Sequence, residues 1–311
     1  MTTPTQEPKE TKEQLSKYLD PRTLTKIAGL DIKARLIVEG FISGQHKSPY
    51  HGFSVEFAEH REYTAGDDLK HLDWKVLGKT DRLYIKQYEE ETNLRTHILL
   101  DTSESMRYAS PGQISKLEYA SYIAASLSYM LVRQQDSVGL VTFDNKVKKV
   151  IPPSASPAHL RLILHELNQL QAAERTDTGM ILHDLAERIK RKGLIVILSD
   201  LFDDPEKLLF GLQHFRHRRH EVIVFQLLDD GEINFPFDNM TLFEGYEGWQ
   251  ELLCDPRSLR KAYLDEYQAF TDKLKRGCRN NKIDFQQINT KNPLDVVLSA
   301  YLATRMNSRF K

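Results

Sequence analysis

The sequence predicts an α/β fold, a doubly wound and mainly parallel sheet, and three observations carry that reading. Apolar runs such as Ile98–Leu100 and Leu194–Leu198 are short and uniformly hydrophobic, as expected of strands covered on both faces rather than of amphipathic helices. Between such runs lie stretches with apolar residues at helical spacing, so that strands and helices alternate over residues 96–229 as βαβ units. The composition, 40% apolar and 28% charged over 311 residues, is that of a globular chain able to build such a core.

In chain order, residues 1–13 are polar and read as a disordered lead-in. From Leu15 to Ser43 the apolar residues fall at helical spacing, with Pro21 and Gly29 dividing the segment and a longer helix over Ile32–Ile42. Between Pro49 and Glu91 the clusters Val55–Phe57, Leu72–Trp74 and Leu83–Ile85 sit among Gly, Asp and charged residues. They suggest extended structure and loops, which makes 14–93 a separate N-terminal helical and extended segment.

The alternation starts with strand Ile98–Leu100 and helix Leu117–Arg133. Strand Val138–Phe143, a turn at Asp144–Asn145 and a returning strand Lys146–Ile151 follow. One helix carries Leu160, Ile163, Leu164 and Leu167, and the next Ile181, Leu182, Leu185 and Ile189, before strand Leu194–Leu198. A helix opening at Pro205 turns Leu208, Leu212 and Phe215 inward and leads to strand Val222–Leu228. Met240–Tyr246 and Leu252–Leu253 suggest a small hairpin. Pro256 opens a long helix with Leu259, Tyr263, Tyr267, Phe270 and Leu274 on one face. Lys273, Lys275 and Arg276 suit its last turn and Gly277 the position past its end. Strand Ile283–Ile288 completes a domain over 94–290, and Leu294–Met306 gives a final helix within 291–311.

Charge and cysteine content exclude several classes. With 43 Lys+Arg against 44 Asp+Glu, a nucleic-acid binder relying on bulk positive charge is not expected. The basic run His214–His220 offers no stacking platform beyond Phe215 and reads as a solvated helix end. Two cysteines, Cys254 and Cys278, allow neither a disulfide framework nor a four-thiolate zinc site. No apolar stretch approaches the roughly 18 residues of a membrane span, and the N-terminus lacks the apolar region of a signal peptide. A cytoplasmic location without membrane insertion is expected.

In a doubly wound sheet ligands bind beyond the carboxyl ends of the strands. The loop after Ile98–Leu100 reads Asp101-Thr102-Ser103-Glu104-Ser105, and the loop after Leu194–Leu198 reads Ser199-Asp200, followed by Asp203 and Asp204. A third loop carries Arg175-Thr176-Asp177-Thr178-Gly179. D-x-S-x-S, then T, then D is the donor set of a metal-ion-dependent adhesion site. Ser103, Ser105 and Thr176 would offer neutral hydroxyls, while Asp101 and Asp200 supply charge directly or through water. Mg²⁺, or Mn²⁺ in its place, takes about six oxygens and keeps several waters. With so few anionic ligands, an acidic side chain from a protein partner is expected to complete the shell.

D-T-S-E-S-M, R-T-D-T-G and I-L-S-D in this order resemble the motifs of von Willebrand factor A domains. Upstream, G-F-S-V-E-F-A-E-H-R-E-Y-T-A-G-D-D-L-K-H-L-D-W (52–74) and L-Y-I-K-Q-Y-E-E-E (83–91) resemble a more particular group, the prokaryotic domain-of-unknown-function family fifty-eight. The matches span roughly residues 40–230. The resemblance implies a non-enzymatic interaction module, partner or adaptor of a MoxR-type AAA+ ATPase in chaperone-like assembly or metal insertion. The chain departs from the Gly-Gly-Thr common in A domains, having Glu174-Arg175-Thr176, and Arg175 beside a cation would weaken binding unless it points away.

Plainer readings stand beside these. The Asp and Ser residues of 101–105 could simply cap the following helix, leaving a metal-free structural scaffold with a vestigial site. Asp203 and Asp204 read as helix N-terminal charge before Pro205. His60, His71 and Asp73 lack a third ligand at clear spacing, and Arg61, Asp67, Asp68 and Asp73 read as polar contacts of the upstream segment. Trp74 and Trp249 are explained by packing as readily as by binding. A Mg²⁺-dependent phosphatase of the haloacid-dehalogenase type would start from an aspartate placed like Asp101, but Ser103 stands where its acid partner is needed and cannot serve as a general acid near neutral pH.

Overall fold

The computed structural model describes residues 20–24, 29–45, 60–62, 84–86, 94–172, 178–243 and 251–301. Its elements in chain order are α1 (Pro21–Leu24), α2 (Leu30–Gln45), β1 (His60–Glu62), β2 (Tyr84–Lys86), β3 (Arg95–Asp101), α3 (Lys116–Arg133), β4 (Ser137–Phe143) and β5 (Val147–Ser154). There follow α4 (Pro157–Asn168), α5 (Thr178–Arg188), β6 (Leu194–Ser199), α6 (Pro205–His217), β7 (Glu221–Leu228), α7 (Asp230–Asn234), β8 (Thr241–Phe243), β9 (Leu252–Cys254), α8 (Pro256–Asn280) and β10 (Asp284–Asn289). A last helical stretch occupies 295–301.

The chain divides into two units. Residues 46–93 form one, in which β1 and β2 pair antiparallel, Arg61 opposite Ile85. The clusters Val55–Phe57 and Leu72–Trp74 lie outside the described residues. The other unit takes in everything else, residues 1–45 together with 94–311. Its sheet has the order β10-β7-β6-β3-β4-β5, parallel throughout except for the β4–β5 hairpin. Pro152 and Pro153 fall on β5, an edge strand, where the missing amide hydrogens remove no ladder bond from the sheet interior.

The doubly wound expectation is met in detail. Ile98, Leu100, Val196, Leu198, Ile223 and Phe225 turn to one face, covered by α2, α3, α4 and the 295–301 stretch. Leu99, Val141, Ile195, Ile197, Val222 and Val224 turn to the other, against α5, α6 and α8. Burial on both faces explains why these strands carry no polar alternation. The helix starts are written locally. Ser115, Ser156, Asp204 and Asp255 each accept a backbone N–H in the first turn of α3, α4, α6 and α8. The expected small hairpin is present as β8 with β9.

Two expectations fail. The basic run His214–His220 is not solvated throughout, because Phe215 and His220 are fully buried and a His220 ring nitrogen lies 3.0 Å from the Ile189 carbonyl oxygen. Gly277 does not end α8, which continues to Asn280 with Asn281 as its cap. The reason is packing: a Cβ on Gly277 would lie 2.4 Å from Leu209 of α6. Glycine is used here for close approach of two helices, not for a left-handed turn. Among the described residues no helix is long and apolar enough to cross a membrane.

Candidate functional site

Topology creates the site. From β3 the chain moves through α3 to β4 on one side, and from β6 through α6 to β7 on the other. The crossovers therefore diverge between β3 and β6, opening a crevice at their carboxyl ends, the place where ligands bind in sheets of this kind. Asp101 ends β3, and Ser199 ends β6 with Asp200 the next residue. Both aspartates are almost completely buried. Thr176 lies outside the described residues, as does Arg175, so four of the five expected ligands can be placed.

Asp101, Ser103 and Ser105 are joined by hydrogen bonds, and Asp200 follows Ser199, which bonds to Asp101. Asp101 Oδ1 accepts from the Ser103 backbone N–H at 2.9 Å, and Oδ2 accepts from Ser199 Oγ at 2.6 Å. The Ser103 and Ser105 hydroxyls are 3.1 Å apart. Ser103 opens a short 3₁₀ turn over Glu104–Arg107 without a side-chain cap bond to it, so the plain helix-cap reading of this serine fails. Asp204, by contrast, is a helix cap, accepting from the Glu206 and Lys207 N–H groups, and Asp203 Oδ2 accepts from the Gly179 N–H at 3.0 Å. After β6 the backbone turns sharply: Leu201 has a φ of 56°, in the left-handed region that costs a branched residue about 1 kcal/mol or more. Its side chain is fully buried and its N–H donates to Ser199 Oγ at 2.9 Å.

Sequence reasoning missed the central charged group. Lys116, the first residue of α3, is fully buried, and its Nζ donates to Asp200 Oδ2 at 2.8 Å and to Glu232 Oε1 at 2.6 Å. The ammonium also lies 5.0 Å from the Phe202 ring centre and 5.9 Å from that of Tyr108. Burial by itself would lower the Lys116 pKa, but Asp200 and Glu232 outweigh it and hold the ammonium above its ordinary range. Glu232 is in turn fixed by a capping box in which the Asp229 N–H donates to its Oε2 at 2.8 Å. Asp229 accepts from the Ser110 N–H at 3.0 Å, tying α7 to the loop after β3. Two signals were legible: a lysine in the first turn of a helix opposes the dipole and calls for an anion, and Asp229–Glu232 has capping-box spacing.

The charge balance favours a further cation. Asp200 and Glu232 share the Lys116 ammonium, and the third carboxylate, buried Asp101, is held by neutral donors. Burial, and then repulsion by Asp200, pushes Asp101 up to about 7, against the pull of the Ser199 and Ser103 donors. Burial likewise raises Glu232, opposed by Lys116. The four placed candidates, Asp101, Ser103, Ser105 and Asp200, offer carboxylate and hydroxyl oxygens, which is the chemistry hard divalent cations select. The residues therefore fit Mg²⁺ or Mn²⁺, with Lys116 competing for Asp200.

Fold and site together define a doubly wound α/β protein with a buried acidic and hydroxyl-bearing crevice at its topological switch point. The chain belongs to the family described as "Protein of unknown function DUF58", whose profile matches residues 59–272. Uncharacterized proteins of Mycobacterium bovis and Mycobacterium tuberculosis are 24% identical over 220 residues, covering 70% of this chain and 68% of theirs. Among solved structures, the conserved hypothetical protein BatB from Bacteroides thetaiotaomicron matches with a TM-score of 0.46 at 13% identity, over 70% of this chain and 98% of that one. The VWA domain of SpRpn10 matches with a TM-score of 0.38 at 12% identity, over 66% and 93%. The fold assignment rests on the strand order and crossovers described above.

Proposed function

We propose that this protein is a non-enzymatic, divalent-cation-dependent protein-interaction module. Asp101, Ser103, Ser105 and Asp200, with Thr176 from the third loop, would surround Mg²⁺ or Mn²⁺. An acidic side chain of the partner would complete the shell. The observation that carries this reading is the shortage of positive charge around Asp101: the Lys116 ammonium pairs with Asp200 and Glu232, while buried Asp101 is met by the Ser199 hydroxyl and the Ser103 N–H and repelled by Asp200. The bound ion would supply that charge and present an open coordination position outward. This chain's own part is to orient the aspartates through Ser199, the Ser103 N–H and Lys116. The partner we favour is a MoxR-type AAA+ ATPase, in chaperone-like assembly; the support is family resemblance, and the setting we favour is the cytoplasm.

Titrating Mg²⁺ and Mn²⁺ into the wild type and Asp101→Ala while following thermal unfolding tests the site. A ligand that binds only the folded state stabilises by RT ln(1 + [L]/Kd), about 2.7 kcal/mol at 100 times Kd. A rise in wild type that vanishes in the variant, with capture of the ATPase abolished by chelator, supports the proposal. Unchanged capture by Asp101→Ala refutes it. A second reading has its own observation: the Lys116 ammonium, 2.8 Å from Asp200 Oδ2, itself stands in for the metal in a cation-independent scaffold. That reading requires no response to Mg²⁺, Mn²⁺ or chelator in either protein.

A further inference from the structure

A second cluster of metal-ligating side chains lies between α5 and α6, on the face of the sheet away from α3. These helices run side by side in the same direction, brought together by two glycines. A Cβ on Gly179 would stand 2.7 Å from the Lys207 carbonyl carbon, and one on Gly211 2.7 Å from the Gly179 carbonyl oxygen. Such close backbones leave little room between the side chains one turn further on. There His183 of α5 meets His214 of α6, with Nδ1 of each 3.0 Å from the other and ring centres 4.4 Å apart. Glu187, four residues after His183, projects from the same face of α5. One ligand atom from each of His183, Glu187 and His214 falls within 4.8 Å of the others.

From this geometry we infer that His183, Glu187 and His214 form a binding site for a borderline transition-metal ion, Zn²⁺ being the best match, distinct from the oxygen-ligand site around Asp101. Two imidazoles and one carboxylate select Zn²⁺ over Mg²⁺ or Ca²⁺. Nitrogens about 2.1 Å from one ion at a tetrahedral angle are separated by about 3.4 Å, so the two Nδ1 atoms, 3.0 Å apart, need only a small adjustment to chelate. Phe210, stacked on His183 at 5.1 Å and 18°, limits rotation of one imidazole in advance of binding. His183 and His214 are half-buried while Glu187 is exposed, which leaves the ion an open fourth position for water or for a ligand from outside. The ion would join two helices that each lead directly into a sheet strand, α5 into β6 and α6 into β7.

Isothermal titration of Zn²⁺ into the full-length protein tests this, against His183→Ala, His214→Ala and Glu187→Gln, with far-UV circular dichroism confirming that each variant is folded. Expected are one Zn²⁺ per chain in wild type and affinity weakened at least about tenfold in each variant, the scale on which even supporting residues of metal sites act. Asp101→Ala should retain Zn²⁺ binding, separating this site from the other. Co²⁺ in place of Zn²⁺ should give a visible ligand-field spectrum in wild type that is lost in His214→Ala. Equal Zn²⁺ affinity in wild type and all three variants would overturn the assignment and reduce the His183–His214 contact to a hydrogen bond. Zn²⁺ binding lost only in Asp101→Ala would overturn it as well.

Discussion

Replacing Asp101 by Asn removes one charge while keeping shape, and its effect on stability follows from the crevice. In the metal-free protein, burial and Asp200 raise the Asp101 carboxyl from 3.8 to about 7. The folded state thus holds this proton more tightly than the unfolded chain does. Its contribution to stability is complete below about pH 4 and is lost as pH rises through 7. At 1.36 kcal/mol per pKa unit, the shift from 3.8 to about 7 sets a ceiling of about 4 kcal/mol, and relaxation with water entry should leave about half of it. In Asp101→Asn the side-chain oxygen still accepts from the Ser103 N–H, and the new amide faces Ser199 Oγ. Urea unfolding in the presence of chelator is the assay. The variant should be more stable than wild type by about 2 kcal/mol at pH 8, with the gap closing toward pH 4. Added Mg²⁺ should stabilise the wild type and leave the variant nearly unchanged. If the variant is the less stable protein at pH 8 in chelator, or the gap does not change with pH, the account of a cation-deficient crevice is wrong.

Other perturbations test neighbouring parts of the argument. Lys116→Met strands Asp200 and Glu232 without their counter-charge; the expected loss is about 3–5 kcal/mol at neutral pH by chemical denaturation, smaller in acid and partly recovered by Mg²⁺. Gly211→Ala forces a Cβ toward the Gly179 carbonyl oxygen, 2.7 Å away, and should cost about 1–3 kcal/mol in thermal unfolding while weakening Zn²⁺ binding at His183 and His214. Ser115→Ala removes the acceptor of the Glu118 N–H, at 3.1 Å, with an expected loss of about 1 kcal/mol. Because this cap sits beside Lys116, a loss above about 2 kcal/mol would show that the start of α3 also orders the crevice.

What the sequence determined by itself was whatever local bonding controls. Ile98–Leu100 and Leu194–Leu198 are uniformly apolar because both faces of their strands are covered, so the doubly wound class followed from the pattern. Asp101 follows the first run directly and Asp200 follows the second after Ser199, and that proximity alone puts them at strand ends. Gly277 shows the limit: the sequence offers a plausible helix stop, and only the approach of Leu209 from α6 reveals a packing glycine.

Tertiary structure alone decided which distant groups meet. Lys116 reaches Asp200 and Glu232 across 84 and 116 residues, because the sheet order sets β3 beside β6 and β7 next to it. The same holds for His183 and His214, 31 residues apart, and for α2, whose Ala34, Ile37, Val38 and Phe41 join the core formed by α3 and the sheet. Helical and strand periodicities report hydrogen bonds within a few residues. The partner of a buried charge is set by strand order and crossover handedness, which determine the crevice and leave no periodic trace along the chain.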